Sequence, residues 1–135
     1  TITTTDLQRV SWLKGAHFEG CHRIDDYKLG IDGSALVQVQ ISFELRLGTY
    51  YGIIPHNSSF IIRLYKNGSQ IQYNTHGSYS MPDQYLNFTC VFNAINVVNG
   101  DILEIKLSRT YIGNVGGVGT GYVTSSPDQT WVKTV

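Results

Sequence analysis

Reactive and metal-ligating side chains are sparse in this 135-residue chain. Four histidines, His17, His22, His56 and His76, and two cysteines, Cys21 and Cys90, are its only imidazoles and thiols. His17, Cys21 and His22 are the one grouping with metal-ligand chemistry. Cys21 and His22 are neighbours, and adjacent side chains on a strand leave opposite faces. No Cys-x-x-Cys pair supplies zinc spacing, and no Asp-rich loop supplies calcium spacing. Asp25-Asp26 is a contiguous carboxylate pair, but the same alternation separates the two groups, whereas a glycosidase needs them convergent. They read as surface charges at a hairpin. Gly-x-Ser-x-Gly and His-Glu-x-x-His are both absent, and no histidine sits in a triad-like context. The residues predict no enzyme, no metal and no cofactor.

Binding chemistry is better supplied. There are nine tyrosines and two tryptophans, and Tyr combines a flat apolar face with a hydroxyl suited to sugars and proteins. Tyr50, Tyr51, Tyr79 and Tyr111 fall in or beside predicted loops. Tyr50, Tyr51, His76 and Tyr79 are the candidate binding residues; the competing role for such aromatics is to fill a subunit interface. Gly113–Gly121 holds five glycines. It lacks the Lys-Ser/Thr ending of a phosphate loop and no helix follows, so it reads as a surface loop, either simply mobile or serving recognition. Asn57-Ser58-Ser59, Asn67-Gly68-Ser69 and Asn87-Phe88-Thr89 fit the glycosylation triplet.

The elements that must position these residues are strands. Val37, Val39, Ile41, Phe43, Leu45 and Leu47 alternate with Gln38, Gln40, Ser42, Glu44 and Arg46, the pattern of a strand with one buried face. The first five of the apolar set are the predicted core of that strand. Phe60, Ile62 and Leu64 alternate likewise, as do Leu103, Ile105 and Leu107 against Glu104 and Lys106. Shorter strands are expected at Val10–Leu13, Phe18–Ile24, Tyr27–Ile31, Leu86–Val98 (with a bend), Tyr122–Thr124 and Thr130–Val135. Asp32-Gly33 turns the chain into the longest strand. Leu86, Phe88, Cys90 and Phe92 share a face, making Cys90 a small buried hydrophobe rather than half of a Cys21–Cys90 bridge. Tyr50–Asn57 and Tyr73–Tyr85 carry no alternation and are expected as loops. Many short strands punctuated by turns predict a single all-β domain over residues 1–135, an antiparallel sandwich.

Charged residues make up only 15% of the chain and the formal net charge is zero. That gives no basic field for nucleic acid and none for an anionic membrane. No apolar run reaches the roughly 18 residues of a membrane-spanning helix. The opening Thr1-Ile2-Thr3-Thr4-Thr5 suits an extended lead-in from a preceding stalk.

Two turn regions carry a family resemblance. Ser59–Tyr73 places Lys66-Asn67-Gly68 between an apolar strand and a second short strand, and Asn-Gly is a strong hairpin signal. Val97-Val98-Asn99-Gly100-Asp101-Ile102-Leu103-Glu104-Ile105 reads as a second strand pair around a tight turn. Together they resemble the jelly-roll modules of the C1q and tumour-necrosis-factor-like superfamily, above all the versions in viral and phage fibre or spike heads. Trp131-Val132-Lys133-Thr134-Val135 matches the last strand, which in that family is central in its sheet. The resemblance covers Leu36 to Val135, and the glycine-rich segment departs from the family's aromatic penultimate strand. It implies a jelly roll, a homotrimer joined through aromatic faces, and a non-enzymatic head that engages a host receptor, protein or glycan, at the virion surface or extracellularly. Long loops at the end away from the stalk, Tyr50–Asn57, Thr75–Gln84 and Gly113–Gly121, would then make the contact. The alternatives are a lectin-like module of a secreted protein and a purely structural trimerisation or capsid domain. Monomer mass separates the first alternative from a head.

Overall fold

The computed structural model describes residues 8–12, 15–47, 56–80, 85–112, 121–125 and 130–135, with side chains described at 10–12, 15–42, 60–75, 89–108 and 130–135. The described residues form strands and turns with no helix. In chain order the strands are β1 (Gln8–Val10), β2 (His17–Phe18), β3 (Cys21–Arg23), β4 (Leu29–Ile31), β5 (Ala35–Leu47), β6 (His56–Lys66), β7 (Ser69–Ser80), β8 (Tyr85–Val91), β9 (Ile95–Val97), β10 (Ile102–Ile112), β11 (Gly121–Ser125) and β12 (Trp131–Thr134).

They make two sheets. In the first the order is β3, β4, β10, β6, β7. Leu103 pairs with both Leu29 and Lys66, and Ile105 with both Val10 and Leu64, so β4 and β1 share the flank of β10 opposite β6. The second sheet is built around β5. Gln40 pairs with both Val91 and Trp131, and Val37 with both Ile95 and Thr134. Residues 43–46 pair with both β8 and β11. One flank of β5 is therefore β8 then β9, and the other is β11 then β12, with β2 beyond β12. Between β11 and β12 the Thr130 hydroxyl replaces a ladder rung. It accepts the Ser42 N–H at 3.1 Å and donates to the Ser42 carbonyl at 3.3 Å.

The inner faces meet in one core. The first sheet contributes Val10, Leu29, Ile31, Phe60, Ile62, Leu64, Leu103, Ile105 and Leu107. The second contributes Val37, Val39, Ile41, Cys90, Val97 and Val132, and Trp12 and Phe92 complete the cluster. Each such aliphatic or aromatic side chain contributes about 1.5–3 kcal/mol of transfer free energy. The alternation predicted for β5, β6 and β10 is what buries them. The side chains of Phe43 and Leu45 lie outside the described set. Cys90 is buried and both thiols are free.

Several boundaries differ from expectation. The stretch Phe18–Ile24 is two strands because Gly20 adopts φ +65°, a left-handed conformation that glycine enters readily. That kink carries the chain from the second sheet (β2 on β12) to the first (β3 on β4) and closes one edge of the sandwich. Of the loop expected at Tyr73–Tyr85, residues 73–80 are strand, since β7 runs to Ser80 paired along the whole of β6, and β8 begins at Tyr85; residues 81–84 lie outside the described residues. His56 and Asn57 likewise belong to β6. The strand expected at Val10–Leu13 is instead Gln8–Val10. Leu86–Val98 does bend, splitting into β8 and β9.

The largest correction concerns Asn99-Gly100. Its flanking strands are not a hairpin: β9 lies in the second sheet and β10 in the first. Only Asn67-Gly68 is a hairpin tip, with φ of 52° and 82°; both central residues are left-handed, as a type I′ turn requires. At the second turn only Gly100 is left-handed, at 92°.

Three corners are tied together at one end. Gly100 N–H donates to the Ile31 carbonyl and Ile31 N–H to the Asp101 carbonyl, both at 2.9 Å. Asn67 N–H donates to the Ile102 carbonyl at 2.8 Å. The Asn67 side chain donates through Nδ2 to Asp101 Oδ1 and accepts the Ile102 N–H through Oδ1, each at 2.9 Å. Asp101 Oδ2 accepts the Val98 N–H at 2.9 Å. These bonds to nearly buried Asp101 hold its carboxyl below the usual carboxylate range, the Val98 bond first and the Asn67 bond second.

Candidate functional site

The opposite end of the sandwich collects six strand termini. Leu47 pairs with Gly121 and Arg46 with Tyr85, while His56 pairs with Ser80 and Asn57 with Ile112. The segments 48–55, 81–84 and 113–120 join these ends and lie outside the described residues. Tyr50 and Tyr51 fall in the first of them. His76 and Tyr79 stand on β7 as Cα partners of Phe60 and Asn57; their side chains are outside the described set. Of the four predicted binding positions, Tyr79 lies one residue from the end of β7 here, whereas Tyr50 and Tyr51 lie outside the described residues. Strand β1 runs antiparallel to β10, from this end toward the corners, so the chain enters β1 from the loop-bearing side, against the expectation that these loops lie at the end away from the entering chain.

The ionisable residues considered for catalysis have structural partners. Asp25 Oδ1 accepts the N–H groups of Tyr27 and Lys28, both at 2.8 Å, and Asp26 pairs with Arg23 at 2.7 Å. His22 contacts Asp32 at 2.8 Å and His17 contacts Glu19 at 2.7 Å. Glu19 also accepts the Thr134 N–H and hydroxyl, both at 3.0 Å, latching β12. Its carboxyl is lowered from 4.5 to about 2, by the His17 hydrogen bond first and the Thr134 bonds next. Burial pushes the Cys21 thiol up to about 12, helped by the charges of Asp32 and Glu19, so it is no ready nucleophile. Among the described residues no three His, Cys, Asp or Glu side chains gather as a metal site.

Two outward faces carry the remaining chemistry. On the second sheet Trp131 is half-buried with the Lys133 ammonium 4.6 Å from its ring centre. Val91 and Leu36, both exposed, share that face. On the first sheet β10, β6 and β7 set Lys106, Arg63 and Tyr73 side by side as successive Cα partners. Lys106 leans over the Tyr65 ring at 4.4 Å, and Arg63 Nη1 donates to Ser108 Oγ. Tyr73 is 62% exposed. This row was hidden from sequence reasoning because its members come from three strands. The outward parity of Arg63 and Lys106 was legible, but the register that aligns them with Tyr73 was not.

Comparison with protein-family models and with curated proteins finds no match to the chain.

Proposed function

We propose that this domain is a trimeric, non-enzymatic head of a viral or phage fibre or spike that engages a host receptor, at the virion surface or extracellularly. The observation that carries the reading is the strand order. From β4 to β11, counting β8 with β9, each connection passes to the other sheet except the β6–β7 hairpin. This alternation is the order expected when antiparallel strands wind into a jelly roll. The placement of β12 between β5 and β2 agrees with the central last strand that the resemblance implies.

Trimerisation is assigned to the outward face of the second sheet. Trp131, Val91 and Leu36 offer it an apolar and aromatic surface; its charged positions are Lys133 on β12 and, at the other end of β5, Glu44 and Arg46. Burial of such a face around a threefold axis is favourable. Receptor contact is assigned to Tyr79 and His76 on β7 together with Tyr50 and Tyr51 in the connection from β5 to β6. Light scattering tests the assembly: the expected mass is three times 15.1 kDa, and a concentration-independent monomer overturns the reading. Tyr51→Ala and Tyr79→Ala, assayed separately for cell binding, should reduce binding while leaving trimers intact. Lost trimers, or unchanged binding in both variants, would remove these residues from the contact.

A further inference from the structure

The first sheet's outward face contains a feature that folding does not call for. Lys106 and Arg63 are Cα partners on neighbouring strands. Like charges placed directly opposite each other destabilise a sheet, and this chain carries few charges to place. Among the described residues no carboxylate lies within ion-pair distance of either cation. Each is steered aside by a neutral neighbour, Lys106 by Tyr65 and Arg63 by Ser108. The guanidinium keeps N–H donors beyond the one given to Ser108. Tyr73, the next partner of Arg63 across β6 and β7, presents an exposed ring beside them.

We propose that Arg63, Lys106 and Tyr73, with Tyr65 supporting Lys106, bind the carboxylated sugar at the end of an acidic glycan. The inference rests on the receptor-binding reading but places a second contact away from the loop-bearing end. Arg63 is suited to fork onto a carboxylate, Lys106 adds a point charge, and Tyr73 offers a flat face for a sugar ring. Three adjacent strands span about 10 Å, two inter-strand spacings, which matches one or two rings. Arg9 on β1 is the Cα partner of Lys106 on its other side and extends the row to three cationic positions, its side chain lying outside the described set. Three are still few for a polyanion such as nucleic acid, whose binding scales with the phosphates neutralised.

Binding of 3′-sialyllactose and of lactose to the intact domain, measured by calorimetry or ligand-observed NMR, tests this. Sialyllactose should bind at least ten-fold more tightly than lactose, and more weakly at high salt. Arg63→Gln and Lys106→Gln should each lower affinity about ten-fold, and Tyr73→Ala several-fold, with unchanged mass and melting temperature. Tyr73 is exposed on an edge strand, so its variant keeps the test open if the other two fold poorly. Equal binding of the two sugars overturns the proposal. So does wild-type affinity in the Arg63→Gln/Lys106→Gln double variant, or binding confined to a sulfated disaccharide. A trimer that binds cells but not sialyllactose removes this site and leaves the head reading standing. A monomer that binds sialyllactose does the reverse.

Discussion

The same dipeptide, Asn-Gly, turns the chain at two corners and does opposite things there. At Asn67-Gly68 it closes a hairpin within one sheet; at Asn99-Gly100 it hands the chain from one sheet to the other. The difference lies in what the asparagine side chain holds. Asn67 is left-handed, and its amide grips Asp101 and Ile102 across the gap between corners. Asn99 has only its Oδ1 engaged, accepting the Gly33 N–H at 3.2 Å, and the glycine alone makes the turn. A short turn motif therefore fixes a reversal of direction without fixing which strands pair.

Removing the hub should have the largest effect. Asp101→Ala strips acceptors from the Val98 N–H and the Asn67 amide, and should lower stability by about 2–3 kcal/mol, the usual range for hydrogen bonds to a charged group in a shielded site. Urea unfolding measures it; a loss under 0.5 kcal/mol would mean the two corners are independent. Asn67→Ala should follow at about 1–2 kcal/mol, through the left-handed backbone and the lost amide bonds. Asn67→Gly should recover part of that, because the backbone term disappears.

Acid sharpens the comparison further. Asp101 has a folded pKa below its ordinary 3.8, and Glu19 falls from 4.5 to about 2. A depressed carboxyl binds fewer protons when folded, so its contribution is complete above the ordinary value and is lost as pH falls through the folded one. Stability should decline between about pH 4.5 and pH 2. Asp101→Ala and Glu19→Gln should each flatten that decline in denaturant titrations at stepped pH. Glu19 is solvent-accessible, so its share should shrink in high salt. The smallest effect is expected at the second corner, where Asn99→Ala should shift stability by less than about 0.5 kcal/mol. A loss matching that of Asn67→Ala would erase the distinction drawn between the two turns.

Legibility of the fold followed the contrast between strand faces. β5, β6 and β10 could be read because one face is apolar and the other polar. Of β7 only the first part, to Tyr73, was legible as the strand returning from Lys66-Asn67-Gly68; its continuation to Ser80 was not, since the side chains it directs toward the second sheet are amides. Gln72 exchanges two hydrogen bonds with the Asn93 backbone, both at 2.8 Å, and Asn74 donates to Cys90 Sγ at 2.8 Å and to the Val91 carbonyl at 3.4 Å. Polar groups thus bridge the edge where apolar ones would have signalled a strand. Trp12, fully buried, fell inside the strand expected at Val10–Leu13, but it lies past the end of β1 and enters the core from a connection. The candidate sites divide the same way. Tyr50, Tyr51 and Tyr79 are proposed from residue type alone, whereas the Arg63–Lys106–Tyr73 row depends on pairing between strands distant in sequence.

The bond from Asn67 Nδ2 to Asp101 also bears on how the protein can be made. Asn67-Gly68-Ser69 is a valid acceptor triplet for an oligosaccharide, and that same nitrogen is the nucleophile that takes the sugar. In the folded chain it lies 2.9 Å from a carboxylate that is 9% exposed. A sugar attached during passage through a glycosylating secretory route would reach Asn67 before the corner had formed and crowd it as it closed. Production in a host without that machinery, or with Ser69→Ala to silence the triplet, should therefore yield more native domain than unmodified secretion from eukaryotic cells.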